Sequence, residues 1–443
     1  METPGNTEAV QSTIETDPTA GQPTAGGNGT AAPEDRRWIG KAALFLTGQT
    51  VSLFGSALVQ YAIIWYITLA TKSGTMIMLS SICGFAPQII ISLFAGVWAD
   101  RFDRKRIIIL ADTLIAAATL VLAVVFLFGH GQFWMLFAAS AVRSFGAGLQ
   151  QPAVGAFIPQ IVPKEKLMRV GGINGTIQSL VMLASPAVSG ALFTLAKLEY
   201  IFFIDVGTAA IAITIMTLLK VPPHKKALEA RTGGYFDDLK AGFAYIRCHS
   251  FVKNLLLFFA FFSFLVVPAA FLTPLMTART FGPEVWRLTA IEMLFSGGMT
   301  AGGLIVAVWG GFKERSKTIA ATCVIFGILS AVIGIFVNFW FFLAVMALMG
   351  LAIPFFNTAS MVMLQERVEQ EFHGRVFSFV NIVMVSAMPV GTLVFGPIAD
   401  RVSIELLLIV SGAALALLGT AAWFNRGLRG HGPTKCPEAG GPP

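Results

Sequence analysis

Gly96-Val97-Trp98-Ala99-Asp100-Arg101-Phe102-Asp103-Arg104-Lys105-Arg106 is a short charged run between two long apolar blocks. The block before it spans about 75–98 and the one after it about 107–128. Each is close to the roughly 20 residues a helix needs to cross about 30 Å of hydrocarbon. Neither alternates polar and apolar residues, so helices are implied rather than a barrel. Further blocks lie outward on both sides, near 42–69, 132–158, 170–196 and 200–220, then 254–278, 286–309, 318–337, 340–364, 376–399 and 404–424. The first is long enough to tilt or overhang the bilayer.

Composition agrees. The 443 residues are 55% hydrophobic and 12% charged, with a mean hydropathy of +0.74. Soluble domains carry about 25% charged residues, so this chain could not cover a soluble surface. The net charge of +7 does not call for nucleic acid, because basic residues also hold loops on the cytoplasmic side. With the N-terminus inside and sides alternating, only Lys72, Lys197, Arg279, Arg287 and Arg401 fall outside. Arg143 lies within a span, and every other one of the 31 Lys and Arg falls inside. A missed or invented span would invert the later loops and destroy that bias. The expected fold is therefore all-α, twelve transmembrane helices with both termini cytoplasmic, in the plasma (inner) membrane.

The longest internal polar stretch divides the spans six and six. Residues 1–40 read as a disordered cytoplasmic tail, 41–220 as a six-helix half, 221–252 as a cytoplasmic linker, 253–424 as a second half and 425–443 as a tail. The first tail lacks the basic-then-apolar opening of a signal peptide. In the linker, Phe236, Leu239, Phe243 and Ile246 recur at helical spacing. They fit an amphipathic helix on the membrane surface or one packed on the bundle. A repeat supports the division: Val97, Trp98 and Arg104 recur at an offset of 211 as Val308, Trp309 and Arg315, and Pro186 recurs as Pro397. Duplicated, pseudo-symmetric halves suit alternating access around a midplane site.

The opening run resembles the signature loop of the major facilitator superfamily, with Gly96, Asp100, Arg101, Arg104 and Lys105 in its pattern and Asp103 where that family carries glycine. The resemblance implies that these residues latch the cytoplasmic side closed, Asp100 meeting the positive end of the eleventh helix near Arg375. In the fifth span Gly172, Pro186 and Gly190 fit the superfamily's antiporter motif, while Val181, Ser185 and Ser189 replace other glycines. Closer likeness, over about residues 40 to 425, is to the macrolide-efflux branch, the third drug:proton antiporter family. It is carried by Gly48-Gln49-Thr50-Val51-Ser52, Ala111-Asp112, Ser185-Pro186-Ala187-Val188, Ile204-Asp205-Val206, Gly350-Leu351-Ala352-Ile353-Pro354-Phe355, Gly374-Arg375-Val376-Phe377-Ser378 and Ala387-Met388-Pro389. That likeness implies export of small lipophilic, drug-like compounds such as macrolides in exchange for protons, by a chain that works as a monomer.

Ionisable residues inside a span default to function, and four stand out: Arg143, Asp112, Asp205 and Glu292. Arg143 matches an arginine the superfamily carries in its fourth helix and needs a carboxylate or an anionic ligand. Asp112 is assigned to an ion-pair network with Arg104 and Arg106, and Asp205 to cross-linking helices or carrying protons. A carboxylate alternating between wet and dry settings exchanges a proton at each passage. Glu292 is the first choice for that role, since no basic residue lies one turn away. Gln49, Gln60, Asn174, Gln178, Asn357 and Asn381 are candidates to line a cavity or bridge helices.

Rival readings are an exporter of siderophores or other metabolites, an importer, and a non-transporting sensor. A membrane-embedded enzyme is disfavoured because His130, His224, His249, His373 and His431 all fall in loops or tails. A nucleotide-driven pump is disfavoured by the lack of a phosphate-binding loop. Cys83, Cys248, Cys323 and Cys436 show no metal or disulfide spacing, and no cofactor is implied.

Overall fold

The computed structural model describes residues 33–221, 244–310, 312, 314–336, 338–369 and 372–424. The chain up to Arg37 is a unit of its own, and the packing below concerns Trp38 onward. Twelve long helices are present among the described residues. They are α1 (Pro33–Thr71), α2 (Gly74–Arg101), α3 (Arg104–Leu127), α4 (Phe133–Ile161), α5 (Leu167–Leu195) and α6 (Leu198–Leu218). After residues 222–243, which lie outside the description together with most of the expected linker helix, come α7 (Ser250–Phe271), α8 (Val285–Trp309), α9 (Arg315–Ile335), α10 (Phe339–Arg367), α11 (His373–Ala399) and α12 (Ile404–Phe424). Short helical turns, Thr273–Met276 and Thr277–Phe281, prolong α7.

Eleven of these segments are long and apolar enough to cross a membrane. The remaining helix, α4, carries Ser140, Arg143, Ser144, Gln150 and Gln151, and the first three of these are buried. Its polarity faces the protein. Helix α1 begins at Pro33, inside the stretch expected to be an unstructured tail. Proline followed by Glu34 and Asp35 is the residue order a helix start favours.

Packing repeats at an offset of six helices. Helix α2 lies on α4 and α3 on α4 and α6, as α8 lies on α10 and α9 on α10 and α12. The 211-residue repeat extends to contacts. Arg104 donates to the Ala156 carbonyl of α4 at 2.7 Å, and Arg315 reaches Glu366 at the matching place on α10, 3.8 Å away. Between the sets, α2 packs on α11 and α5 on α8. Those contacts gather at one end of the bundle: Gly74 meets Gly396, and Gly190 meets Thr289. Toward the other end, a Cβ on Gly171, Gly172 or Gly175 of α5 would meet nothing within 4 Å.

In a bilayer, helices associate through close packing rather than water exclusion, and small residues allow it. Gly298 and Gly302 of α8 face the Ala347 and Leu351 carbonyls of α10. A Cβ on Gly412 of α12 would stand 2.5 Å from the Gly327 carbonyl oxygen of α9. Gly412→Ala is expected to cost about 1–3 kcal/mol by overpacking, read as a lower thermal midpoint of the purified protein. Gly171→Ala should leave the midpoint unchanged.

Candidate functional site

Three helices of the first set carry polar residues one or two turns apart on facing sides: Ser52 and Ser56 on α1, Asp112 and Thr119 on α3, Arg143 and Gln150 on α4. Because α3 and α4 run in opposite directions, these residues meet in two layers.

The deeper layer centres on Arg143, which pairs with the Asp205 carboxylate of α6 and donates to the Thr119 hydroxyl. Its other amino group donates to the Ser56 carbonyl at 3.2 Å. Asp205 also accepts from Ser56 Oγ at 3.2 Å and from Thr119 Oγ1 at 2.9 Å. Asp205 is fully buried and Arg143 nearly so. Both carboxylate oxygens are therefore satisfied, as a charge deep in a low-dielectric interior requires. Helix α1 approaches this layer closely because residue 55 is glycine; a Cβ there would overlap the Thr208 side chain.

In the second layer Asp112 Oδ1 accepts from Ser52 Oγ at 3.0 Å and from Gln150 Nε2 at 2.7 Å. Its Oδ2 is buried with no hydrogen-bond partner. The expected network with Arg104 and Arg106 does not form at Asp112, which lies two turns deeper than those bases. Arg104 reaches α4, and the Arg106 side chain is exposed, 3.8 Å from Asp103. Asp103, standing in the glycine position of the family loop, caps α3 by accepting from the Lys105 N–H at 3.0 Å. Its φ of −65° is ordinary, so this turn needs no glycine. Lys105 donates through Nζ to the Thr217 and Leu219 carbonyls at 2.9 and 3.0 Å, a cation on the carbonyl end of α6. The side chains of Asp100, Arg101 and Arg375, and the surroundings of Gly96, lie outside the described ones.

Glu292 stands apart. It sits half-buried in α8, one turn from Thr289, and makes no hydrogen bond or ion pair among the described residues. Tyr61 of α1 lies within electrostatic reach of it, and Thr289, one turn away, meets Gly190 of α5, so this part of α8 borders the first set. Close by, Ser185, Pro186 and Ser189 of α5 are buried. Ser189 Oγ donates to the Leu58 carbonyl at 3.0 Å, and Gly190 abuts Thr289. The third member of that expected motif, Gly172, has no close neighbour. Gln178, Asn357 and Asn381 are exposed, while Gln49, Gln60 and Asn174 are half-buried. Ser52, Ser56, Thr119 and Gln150 were not singled out by the sequence reading. Their spacing relative to Asp112 and Arg143 was the available signal.

Comparison with known proteins adds identity to this geometry. Residues 41–431 match the family model described as transmembrane secretion effector. Macrolide efflux protein A of Streptococcus pyogenes is 32% identical over 380 residues, covering 85% of this chain and 94% of that protein. Among solved structures, the nucleoside transporter NupG superposes with a TM-score of 0.67 at 14% identity, over 87% of this chain and 99% of its own. A bacterial homolog of the human lysosomal transporter Spinster, in an inward-facing and unoccupied conformation, gives 0.62 at 14% identity, over 88% and 96%. At that identity the two structures speak to the fold alone.

Asp205→Asn would leave the Arg143 guanidinium buried without its counter-charge, a loss of about 3–5 kcal/mol. A fall in thermal midpoint is expected, recovered in part by the double variant Arg143→Met with Asp205→Leu, which removes both charges.

Proposed function

The chain belongs to the transmembrane secretion effector family, in the macrolide-efflux branch of the major facilitator superfamily, and on that footing we propose that it exports small lipophilic compounds in exchange for protons. It is a membrane transporter and not an enzyme. The class of cargo we propose is the one named in its relative, a macrolide or a compound of similar size and lipophilicity.

The basic-residue bias supports a topology with both termini and the α2–α3 loop in the cytoplasm. The end closed by Gly74 against Gly396 is then extracellular, and the conformation is inward-facing. Residues 41–220 and 253–424 are the two rocking halves, 221–252 the connection between them. When the protein faces outward, Asp100, with Gly96 and Arg101, latches the cytoplasmic side against the start of α11. One copy suffices, because both halves belong to a single chain.

One observation carries the coupling reading: Glu292 is a carboxylate bordering the other half with no counter-charge among the described residues, whereas Asp205 is paired with Arg143. Asp112, also without a cation, is held inside one half by Ser52 and Gln150. A group between the halves changes its surroundings as they rock. Glu292 takes up a proton when the cavity faces the external medium. It releases the proton toward the cytoplasm as cargo enters. Cargo leaves when the cavity turns outward and reprotonation prepares the return.

The test is reconstitution in proteoliposomes with an imposed proton gradient and erythromycin as probe. Glu292→Gln should fold and insert normally, yet lose gradient-driven erythromycin movement to the level of empty liposomes. Normal coupled movement by that variant would remove Glu292 from the mechanism.

A further inference from the structure

Helices α2 and α11 share a sequence frame. Gly74, Gly96, Ala99, Asp100 and Arg101 of α2 are matched at identical intervals by Gly374, Gly396, Ala399, Asp400 and Arg401 of α11. The two helices pack on one another and run in opposite directions. The acidic end of α11 lies beside the start of α2, and the shared frame offers the acidic end of α2 to the start of α11 when that end closes. At the α2 carboxyl end this is the resemblance-based cytoplasmic latch. Nothing in the sequence reading assigned a role to the matching end of α11.

The structure describes that second end in full. The Asp400 carboxylate sits on the first residues of α2. Its Oδ1 accepts from the Gly74 N–H at 2.6 Å. Its Oδ2 accepts from the Thr75 N–H at 2.9 Å, from Thr75 Oγ1 at 2.6 Å and from Ser73 Oγ at 2.9 Å. A residue from one half thus caps a helix of the other, satisfying N–H groups that a helix start leaves open. The cap also places negative charge at the positive end of the helix dipole. Gly396, one turn before, permits the approach: a Cβ there would stand 2.7 Å from Met78 Cβ and 2.8 Å from the Gly74 carbonyl oxygen.

Arg279, at the end of the α7 extension, fastens the same joint. It pairs with Asp400 Oδ1 at 2.9 Å. It donates to the Ala399 carbonyl at 2.6 Å and to the Lys72 carbonyl through Nε at 3.0 Å and Nη2 at 2.6 Å. Lys72 holds a φ of 49°, a left-handed conformation that non-glycine residues rarely adopt. It presents its carbonyl to Arg279 in that conformation. Deeper in the bundle, about three turns along α2 from Gly74, Phe85 meets Phe271 of α7 edge to face, with ring centroids 6.1 Å apart.

We propose that Asp400, with Arg279, is a second latch that holds the extracellular end closed, reciprocal to the cytoplasmic one and built between the same two helices. One frame then serves both closed ends: the acid of α11 caps α2 in the inward-facing state, and the acid of α2 meets the start of α11 in the outward-facing state. Burial alone would raise the Asp400 carboxyl. The hydrogen bonds from Thr75, Gly74 and Ser73 outweigh it and hold the group at about 2. With the folded value depressed, its stabilisation is present above the ordinary carboxylate range and lost only as pH falls toward about 2. The latch therefore opens by movement, and Asp400 is not the proton carrier.

The inference rests on the alternating-access reading, but its test needs no cargo and no proton gradient, so the two can fail separately. Spin labels at His130→Cys and Phe336→Cys, in loops of opposite halves at the Asp400 end, report opening of that end in a full-length protein whose native cysteines are replaced. Asp400→Asn should shift the short-to-long distance ratio by about tenfold toward long, the scale of losing charge-assisted hydrogen bonds. Arg279→Gln and Thr75→Val should give smaller shifts in the same direction, and they serve if Asp400→Asn does not fold. Asp100→Asn should add no long-distance population. The exchange Arg279→Asp with Asp400→Arg should not restore closure, because an arginine cannot cap α2. A distance distribution unchanged in Asp400→Asn, or closure restored by the exchange, would overturn the proposal.

Discussion

An arginine buried among membrane helices must find its counter-charge inside the protein, because the hydrocarbon offers none. Here the answer to Arg143 is Asp205, and the answer dictates much else. Satisfying that pair recruits Ser56 from α1 and Thr119 from α3, so four helices of the first half are tied at one depth. Partial satisfaction would be costly, which favours this half behaving as a single body. Motion is then left to the surfaces between the halves, where contacts are made by glycines, rings and helix ends.

That division of labour separates the acids by role. Asp205 is paired with Arg143. Asp112 holds two neutral donors within the same half. Asp400 is charged and capped at the rim. Glu292 alone of the four faces across the halves with no described partner. A transporter that couples one flow to another needs a group whose surroundings change with conformation, and the position of Glu292 is the basis for proposing it in that role.

Much of this was legible in the sequence. Apolar length gave the helices within a few residues except at the start of α1, since it follows from bilayer thickness. The repeat of Arg104 as Arg315 pointed to duplicated halves, and both arginines reach the fourth helix of their own set. Other features were hidden by their nature. Asp112 was assigned to the nearest bases along the chain, but its partners Ser52 and Gln150 come from other helices, and pairing across helices is not written in local spacing. Asp103 looked like a departure from the family loop until its role as the cap of α3 was visible. The start of α1 was missed because polar composition outweighed the order Pro33-Glu34-Asp35. The match between the ends of α2 and α11 was present in the letters, yet it means little until packing shows the two helices antiparallel and in contact.

The central claim is that this protein drives lipophilic compounds out of the cell at the expense of a proton gradient. Intracellular accumulation of a panel of macrolides and other lipophilic drugs, in cells with and without the protein, tests it most directly when repeated with a proton uncoupler. The account predicts lower accumulation of at least one panel compound in cells that carry the protein, and loss of that difference on uncoupling. Equal accumulation of every compound, or a difference that persists after uncoupling, would contradict it.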